Sequence, residues 1–302
     1  MEKMELPDKI TAVSKMQAYI NTHIDEKITL EDLCSATGYS KYHAMRIFKE
    51  LTGKTPFETI RALRLTKAAQ TLRDSENKVV DVALDSGFDS HDGFTRAFAR
   101  RFGMTPQEYQ KETPAVNWFI SHPIETYYTL KEGVRIMPKE QIARTMTVTA
   151  IDRPARKLIL KRSVKATCYL SYCEEMGCEW EGFFNSISEK FGTAALLTLP
   201  QNLITAGTGN TASGIEIPLN YNKPVPAGYD IIELPPCTML YFAGAPFEDE
   251  NDFSSAIGIL WELMDNYNSK FYGWEYAPEL APYCNFGTPE NRALMARPVK
   301  KT

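Results

Sequence analysis

The sequence predicts two domains, an all-α module of tandem helix-turn-helix units followed by an α+β module, and three observations carry that prediction. First, Gly38-Tyr39…Arg46-Ile47-Phe48…Gly53-Lys54-Thr55-Pro56-Phe57-Glu58 returns 49 to 50 residues later as Gly87-Phe88…Arg96-Ala97-Phe98…Gly103-Met104-Thr105-Pro106-Gln107-Glu108. Second, a different repeat, spaced by 80 to 81 residues, occupies the C-terminal half. Third, charge is uneven. Lys41 to Arg73 holds eight basic residues against two acids, +6 locally, in a chain of formal net charge -4 whose acids gather at Glu174-Glu175 and Glu248-Asp249-Glu250. A basic first part on an acidic remainder suits a nucleic-acid-binding module joined to a domain that stays off nucleic acid.

In the first copy, Leu30, Leu33, Cys34 and Ala36 have helical spacing and stop at Thr37-Gly38-Tyr39, where glycine permits a tight turn. Ser40 is placed to cap a second helix, Lys41 to Leu51, that buries Ala44, Ile47, Phe48 and Leu51 and leaves Lys41, Tyr42, Met45, Arg46 and Lys49 outward. The second copy runs through Val79, Val82, Ala83 and Ser86-Gly87-Phe88 to a helix from Ser90 to Phe102. That helix buries Phe94, Ala97, Phe98 and Phe102 and offers His91, Asp92, Thr95, Arg96 and Arg100. Helix, glycine turn, helix is the DNA-reading pattern. After each second helix comes Gly-x-Thr-Pro-x-Glu, with Thr at the N-cap, Pro at N1 and Glu at N3, so a further helix starts at Pro56 and at Pro106. The first of these, Pro56 to about Arg73, is long enough to fix the separation of the two units. Two linked units can fill successive major grooves, about 34 Å apart, as a monomer on an asymmetric site.

Residues 28 to 110 resemble the AraC/XylS family of bacterial transcription regulators. Ala83-Leu84-Asp85-Ser86-Gly87-Phe88-Asp89-Ser90-His91-Asp92-Gly93-Phe94-Thr95-Arg96-Ala97-Phe98, continuing to Thr105-Pro106-Gln107-Glu108-Tyr109, is similar to that family's signature segment. The resemblance implies contacts to double-stranded DNA from Lys41, Tyr42, Met45 and Arg46 and from Ser90, His91, Asp92, Thr95 and Arg96; Lys49 and Arg100 join them on the same exposed faces. It implies RNA polymerase as a partner. Gly93 and His91 depart from the bulky or Gln-like residues common there, and Asp92 repels phosphate unless it meets a cytosine amino group, so the first unit is expected to be the main reader.

The expected domains are 1–112 for the DNA-binding module, 113–144 for a linker and 145–302 for the second domain. The linker carries Pro114, Pro123 and Pro138 with Trp118, Phe119, Tyr127 and Tyr128, too aromatic for a loose tether, and is expected to pack. Beyond it, Ile151-Asp152-Arg153-Pro154 then Leu158-Ile159-Leu160 match Ile232-Glu233-Leu234-Pro235 then Met239-Leu240-Tyr241; Trp180-Glu181 matches Trp261-Glu262, and Gly214 to Leu219 matches Met295 to Val299 around Pro298. Each half is expected to be strand, helix, strand, strand, with helices at Trp180 to Phe191 and Phe253 to Tyr267 and a groove between halves.

This duplicated β-α-β-β layout resembles the GyrI-like (gyrase-inhibitor-like) effector-binding domain over 145–302, in the Rob-type arrangement with the DNA-binding end first. The resemblance implies a small-molecule effector, aromatic or amphipathic, in the groove. Ligand-wall residues on this reading are Trp180, Phe183, Tyr241, Trp261, Trp274 and Tyr283, although a tryptophan on a helix that covers a sheet serves equally as core. Many such domains carry a glutamate just before the closing Pro-Val, where this chain has Leu294-Met295-Ala296-Arg297-Pro298-Val299. That weakens the case for a cationic ligand; Glu216, Glu262 or Glu275 could supply the missing charge.

Composition excludes other classes. No apolar run approaches the roughly 18 to 20 residues that span a bilayer, so no membrane partner is expected, and Met1 to Lys9 lacks a signal peptide's apolar core, so the expected location is cytoplasmic. Cys168, Cys173 and Cys178 lie five apart with no histidine near, which suits neither zinc nor a disulfide framework; no metal or other cofactor is expected. All four histidines, at 23, 43, 91 and 122, lie outside the second domain, and no Ser/His/Asp or Cys/His set appears, so enzymatic activity is not expected. The expected function is a transcription regulator that senses a small molecule. The alternatives are a DNA-binding protein whose second domain is a small-molecule hydrolase or a protein-interaction platform.

Overall fold

A computed structural model describes residues 5–132, 142–248, 252–287 and 291–302. The chain divides after Tyr128 into two compact units. The first is helical: α1 Leu6–Thr22, α2 Leu30–Thr37, α3 Lys41–Thr52, α4 Pro56–Asp74, α5 Val79–Asp85, α6 His91–Phe102, α7 Pro106–Glu112, with α8 Ile124–Glu132 at its end.

Two separate cores form, and α4 contributes to both. Its N-terminal half gives Ile60 to a cluster with Ile10, Val13, Met16 and Ile20 of α1, Leu33 of α2, and Ala44, Ile47 and Phe48 of α3. Its C-terminal half gives Leu65, Ala68, Ala69 and Leu72 to a cluster with Val79, Val82, Phe94, Phe98, Phe102 and Tyr109. One helix shared by two cores is a rigid spacer, because either core must be broken before the helix can bend away. Thr55 and Thr105 start α4 and α7 with complete capping boxes: each hydroxyl accepts the Glu58 or Glu108 amide at 3.3 Å, and each glutamate accepts the threonine amide at 2.7 Å.

The segment expected to be the start of a linker packs entirely within this unit. Trp118 joins the second cluster, with the Arg73 guanidinium 4.7 Å from its ring centroid. Phe119 donates its amide to Thr66 Oγ1 at 2.9 Å, and Ile124 belongs to the first cluster. Buried Gln17 of α1 donates to the His122 carbonyl at 3.0 Å and accepts from the Ile124 amide at 2.9 Å. Residues 113–128 therefore run from one core to the other, while 133–141 of the expected linker lie outside the described residues.

Among the described residues the second unit forms a nine-stranded antiparallel sheet: β1 Met146–Arg153, β2 Arg156–Arg162, β3 Phe191–Thr198, β4 Thr211–Ile217, β5 Asp230–Leu234, β6 Cys237–Pro246, β7 Trp274–Tyr276, β8 Tyr283–Phe286 and β9 Arg292–Lys301. The order is β1-β6-β9-β8-β3-β4-β2-β5, with the short β7 beside β9. Exchange β1 with β5, β2 with β6, β3 with β8 and β4 with β9, and the order reads the same backwards. The 80-residue repeat is thus a pseudo-twofold whose axis passes between β3 and β8. The first half has one strand more than the expected β-α-β-β and the second, counting β7, has two; the extra strand common to both arises because the Pro154 and Pro235 turns break what the sequence suggests is one strand into two that pair with different neighbours. The expected helix from Trp180 to Phe191 is the short α10 Glu181–Ser186, preceded by α9 Tyr169–Met176; Phe191 opens β3. The expected Phe253–Tyr267 helix is α11 Phe253–Asp265.

The strand alternation sorts side chains onto two faces. Tyr172 of α9 and Phe183 of α10 pack on one half, α11 on the other with Leu240, Phe242, Met295 and Val299. The opposite face carries Leu158, Leu160, Leu197, Ala212, Met239 and Ala296, a cluster with no residue from these three helices. Among the described residues no helix is long and apolar enough to cross a membrane.

Candidate functional site

The two helices expected to read DNA, α3 and α6, begin and end alike. Each follows a serine in extended backbone and stops at a left-handed glycine, Gly53 at φ +76° and Gly103 at φ +78°. Their caps differ. Ser90 Oγ accepts the Gly93 amide at 3.1 Å, whereas the Ser40 side chain makes no cap bond, contrary to the expectation from sequence. The residue three beyond each serine is His43 in one helix and Gly93 in the other, and a Cβ on Gly93 would lie 3.0 Å from Ser90 Oγ.

On α3, Lys41, Tyr42, Arg46 and Lys49 are exposed, Tyr42 by 79%, and Met45 is half-buried. Lys41 is ion-paired with Glu31 of α2, a contact that raises the lysine's pKa and lowers the glutamate's. On α6, Asp92, Arg96 and Arg100 are exposed and His91 is half-buried, its Nδ1 3.7 Å from Asp92. Two expected contacts are less available than the sequence suggests. Ser90 spends its hydroxyl as an acceptor in the cap, and Thr95 Oγ1 is enclosed without a hydrogen-bond partner in the structure described. Arg46, Lys49, Arg96 and Arg100 hold no ion pair among the described residues, and so present their full charge outward. The local basic excess is smaller than a count suggests, since Lys41 pairs with Glu31, Lys67 with Asp25 and Arg73 with Asp74.

Arg64 of α4 does something the sequence does not announce. Its Nε donates to the Ile24 carbonyl at 2.9 Å and its NH2 to the Glu26 carbonyl, both in the loop before α2. Its NH1 lies over Gly87, 2.8 Å from where a Cβ would stand. One guanidinium thereby ties down the loop that enters the first helix-turn-helix and packs against the turn of the second. Gly38, the equivalent turn glycine, has nothing within 4 Å.

The seven residues expected to line a ligand groove fall into separate places. Trp180 and Phe183 are buried in an aromatic cluster with Tyr172, Phe184 and Tyr229, Phe183 lying 4.2 Å from Tyr229 between centroids. Tyr241 lies on the sheet's other face, stacked on Phe286 at 5.9 Å, and burial pushes its phenol up to about 12. On that face too, Glu216 accepts from Arg156 Nε at 2.6 Å and from Arg153 Nε at 3.0 Å. Trp261 and Tyr283 flank Arg297, their ring centroids 5.1 and 4.7 Å from its guanidinium. Trp274 packs with the α11 cluster. All three carboxylates considered from sequence already hold a cation: Glu216 as above, Glu262 with Arg144, and Glu275 with Lys300 at 3.7 Å. Glu181 on α10 is different. Its carboxyl lies over Gly287, 3.6 Å from a Cβ built there, and desolvation pushes it up to about 7. The repeat placed Trp180-Glu181 opposite Trp261-Glu262, and that was the signal by which it could have been found.

A sequence profile described as a helix-turn-helix domain matches residues 33–112. The chain is 36% identical to the regulatory protein SoxS of Escherichia coli over 98 residues, 32% of this chain and 92% of SoxS. The chain belongs to the AraC/XylS family of transcription regulators. A second AraC/XylS relative, the transcriptional regulator Rob of Salmonella typhimurium, is 36% identical over 147 residues, 49% of this chain, and the match spans only 47% of Rob's length. The crystal structure of a probable AraC family transcriptional regulator from Rhodopseudomonas palustris is 29% identical over 33% of this chain and 95% of its own, with a TM-score of 0.32.

Proposed function

We propose that this AraC/XylS chain is a sequence-specific DNA-binding transcription regulator, and that its sheet domain is a GyrI-like sensor of a small molecule. In this reading α3 and α6 enter successive major grooves on one DNA face, as a monomer. Arg46 reads bases in the first groove; Lys41, Tyr42, Met45 and Lys49 support it. Ser90, His91, Asp92, Thr95, Arg96 and Arg100 form the second, weaker contact. RNA polymerase is the partner through which binding alters transcription. The observation that carries the reading is the one helix, α4, shared by two cores, with Arg46 on α3 and Arg96 on α6 at equivalent positions 50 residues apart.

The sensor assignment rests on the pseudo-twofold sheet with helices on one face, and on the aromatic and charged groups beside its axis. An effector can change transcription only if it binds two states of the protein unequally. Selection from random duplexes followed by fluorescence anisotropy tests the DNA-binding half. The expected site is asymmetric and about two helical turns long, with affinity falling steeply as salt rises because several phosphates are neutralised. Recovery of no preferred sequence, or of a short symmetric half-site bound by a dimer, would overturn it.

A further inference from the structure

Arginines of the sheet domain are, as a rule, matched with acids. Arg153 and Arg156 share Glu216, and Arg162 holds Asp230 at 2.7 Å. Arg297 breaks the pattern. It is only 4% exposed, and among the described residues no carboxylate lies within ion-pair distance of it. Its neighbours are neutral: NH1 donates to the Ala296 carbonyl at 2.9 Å and the Cys284 carbonyl at 3.1 Å, and NH2 donates to Asn285 Oδ1 at 3.2 Å with Met295 Sδ 3.9 Å away. These use four of the guanidinium's five N–H groups. The fifth, on Nε, donates to nothing in the structure described. The guanidinium lies over the rings of both Trp261 and Tyr283, and Trp261 remains 41% exposed.

A buried cation without a counter-charge is costly, and desolvation depresses the Arg297 pKa accordingly. Quadrupoles of two rings and three neutral oxygens offset part of that cost; an anion would offset far more. We propose that the sheet domain takes an anionic aromatic effector, its carboxylate on Arg297 and its ring beside the partly exposed Trp261. This rests on the sensor reading above and names the charge of its ligand.

Calorimetric titration of the full chain with benzoate, benzamide and benzylamine separates the charges at nearly constant shape. Benzoate should bind at least 10-fold more tightly than either of the others. Arg297→Met should abolish that preference, Arg297→Lys should retain part of it, and Trp261→Leu, which removes only a partly exposed ring, should weaken benzoate while leaving the fold intact. Glu181→Gln should leave benzoate binding unchanged. Equal affinity for all three compounds, or a preference for benzylamine that survives Arg297→Met and disappears in Glu181→Gln, would overturn the proposal while leaving a sensor in place. Failure of all three to bind at millimolar concentration would remove the sensor reading and this inference with it.

Discussion

The two helix-turn-helix units share a backbone and differ in how they handle charge, and the two halves of the sheet do the same. In the first unit Lys41 is already paired with Glu31 and the serine cap is idle; in the second no lysine is present on the reading helix, the cap is made and an aspartate faces outward. In the first half of the sheet Arg153 and Arg156 are both matched by Glu216; in the second Arg297 is matched by none among the described residues. Duplication preserves what packing requires, namely the apolar positions, turn glycines and Thr-Pro-x-Glu starts. It leaves surface and buried charges free to diverge, so the copies agree where side chains pack and differ where charge is presented.

The sharpest way to break the comparison is to make the first half of the sheet resemble the second. Glu216→Gln leaves the wholly buried Arg156 without its carboxylate, and urea unfolding should show a loss of about 3–5 kcal/mol. A loss below about 1 kcal/mol would mean that the carbonyls of Pro154 and Pro235, which Arg156 NH1 already reaches at 3.3 and 3.0 Å, suffice for a buried guanidinium. Arg297 would then need no anion either.

For the reading helices the comparison predicts unequal losses. Arg46→Ala should cost about 1–3 kcal/mol of specific DNA affinity and relax base preference in one half of the site. Arg96→Ala should cost less and mainly lower the salt dependence, as a phosphate contact does. Anisotropy titrations at two salt concentrations distinguish these outcomes, and equal losses with equal relaxation of specificity would restore the symmetry of the units.

How much of this was legible in the sequence follows from the same division. Apolar spacing, turn glycines and capping boxes are local, so α2, α3, α4, α6 and α7 could be placed within a residue or two. The sheet's pairing is non-local: the repeat betrayed the duplication, but nothing in the chain says that Pro154 divides two strands with different partners. Arg64 is invisible for the same reason, since its partners at Ile24, Glu26 and Gly87 are brought to it only by folding. Residue type alone marks the candidate groove residues, whereas the sheet's alternation places Tyr241 and Glu216 on one face and Trp274 on the other.

The capping boxes are where the copies agree, so their losses should agree. Thr55→Ala and Thr105→Ala should each cost about 1 kcal/mol in thermal or urea unfolding. The Thr55 and Thr105 backbone amides hold Glu58 and Glu108 below the ordinary glutamate pKa. A depressed carboxylate stabilises above its unfolded pKa, so this contribution is full at neutral pH and fades as acid carries the solution down through the depressed values. The threonine variants keep that backbone contact and lose a cap bond that does not titrate, so most of their loss should persist in acid, whereas Glu58→Gln and Glu108→Gln should converge on wild type there.

The smallest effect concerns the caps that differ. Ser40→Ala should be nearly neutral, because no cap bond is lost, whereas Ser90→Ala should cost about 1 kcal/mol. Gly93 looks like a defect in a reading helix, where alanine would ordinarily gain about 0.5–1 kcal/mol. Here the added Cβ would press on Ser90 Oγ at 3.0 Å and loosen the bond that the Gly93 amide makes, so Gly93→Ala alone should change stability by less than about 0.5 kcal/mol. With Ser90→Ala already in place the obstruction is gone, and the same substitution should recover its full helical gain. A double-mutant cycle on these two positions tests the point: additive energies would mean that Gly93 is not there to admit the cap, and that the second helix is simply weaker.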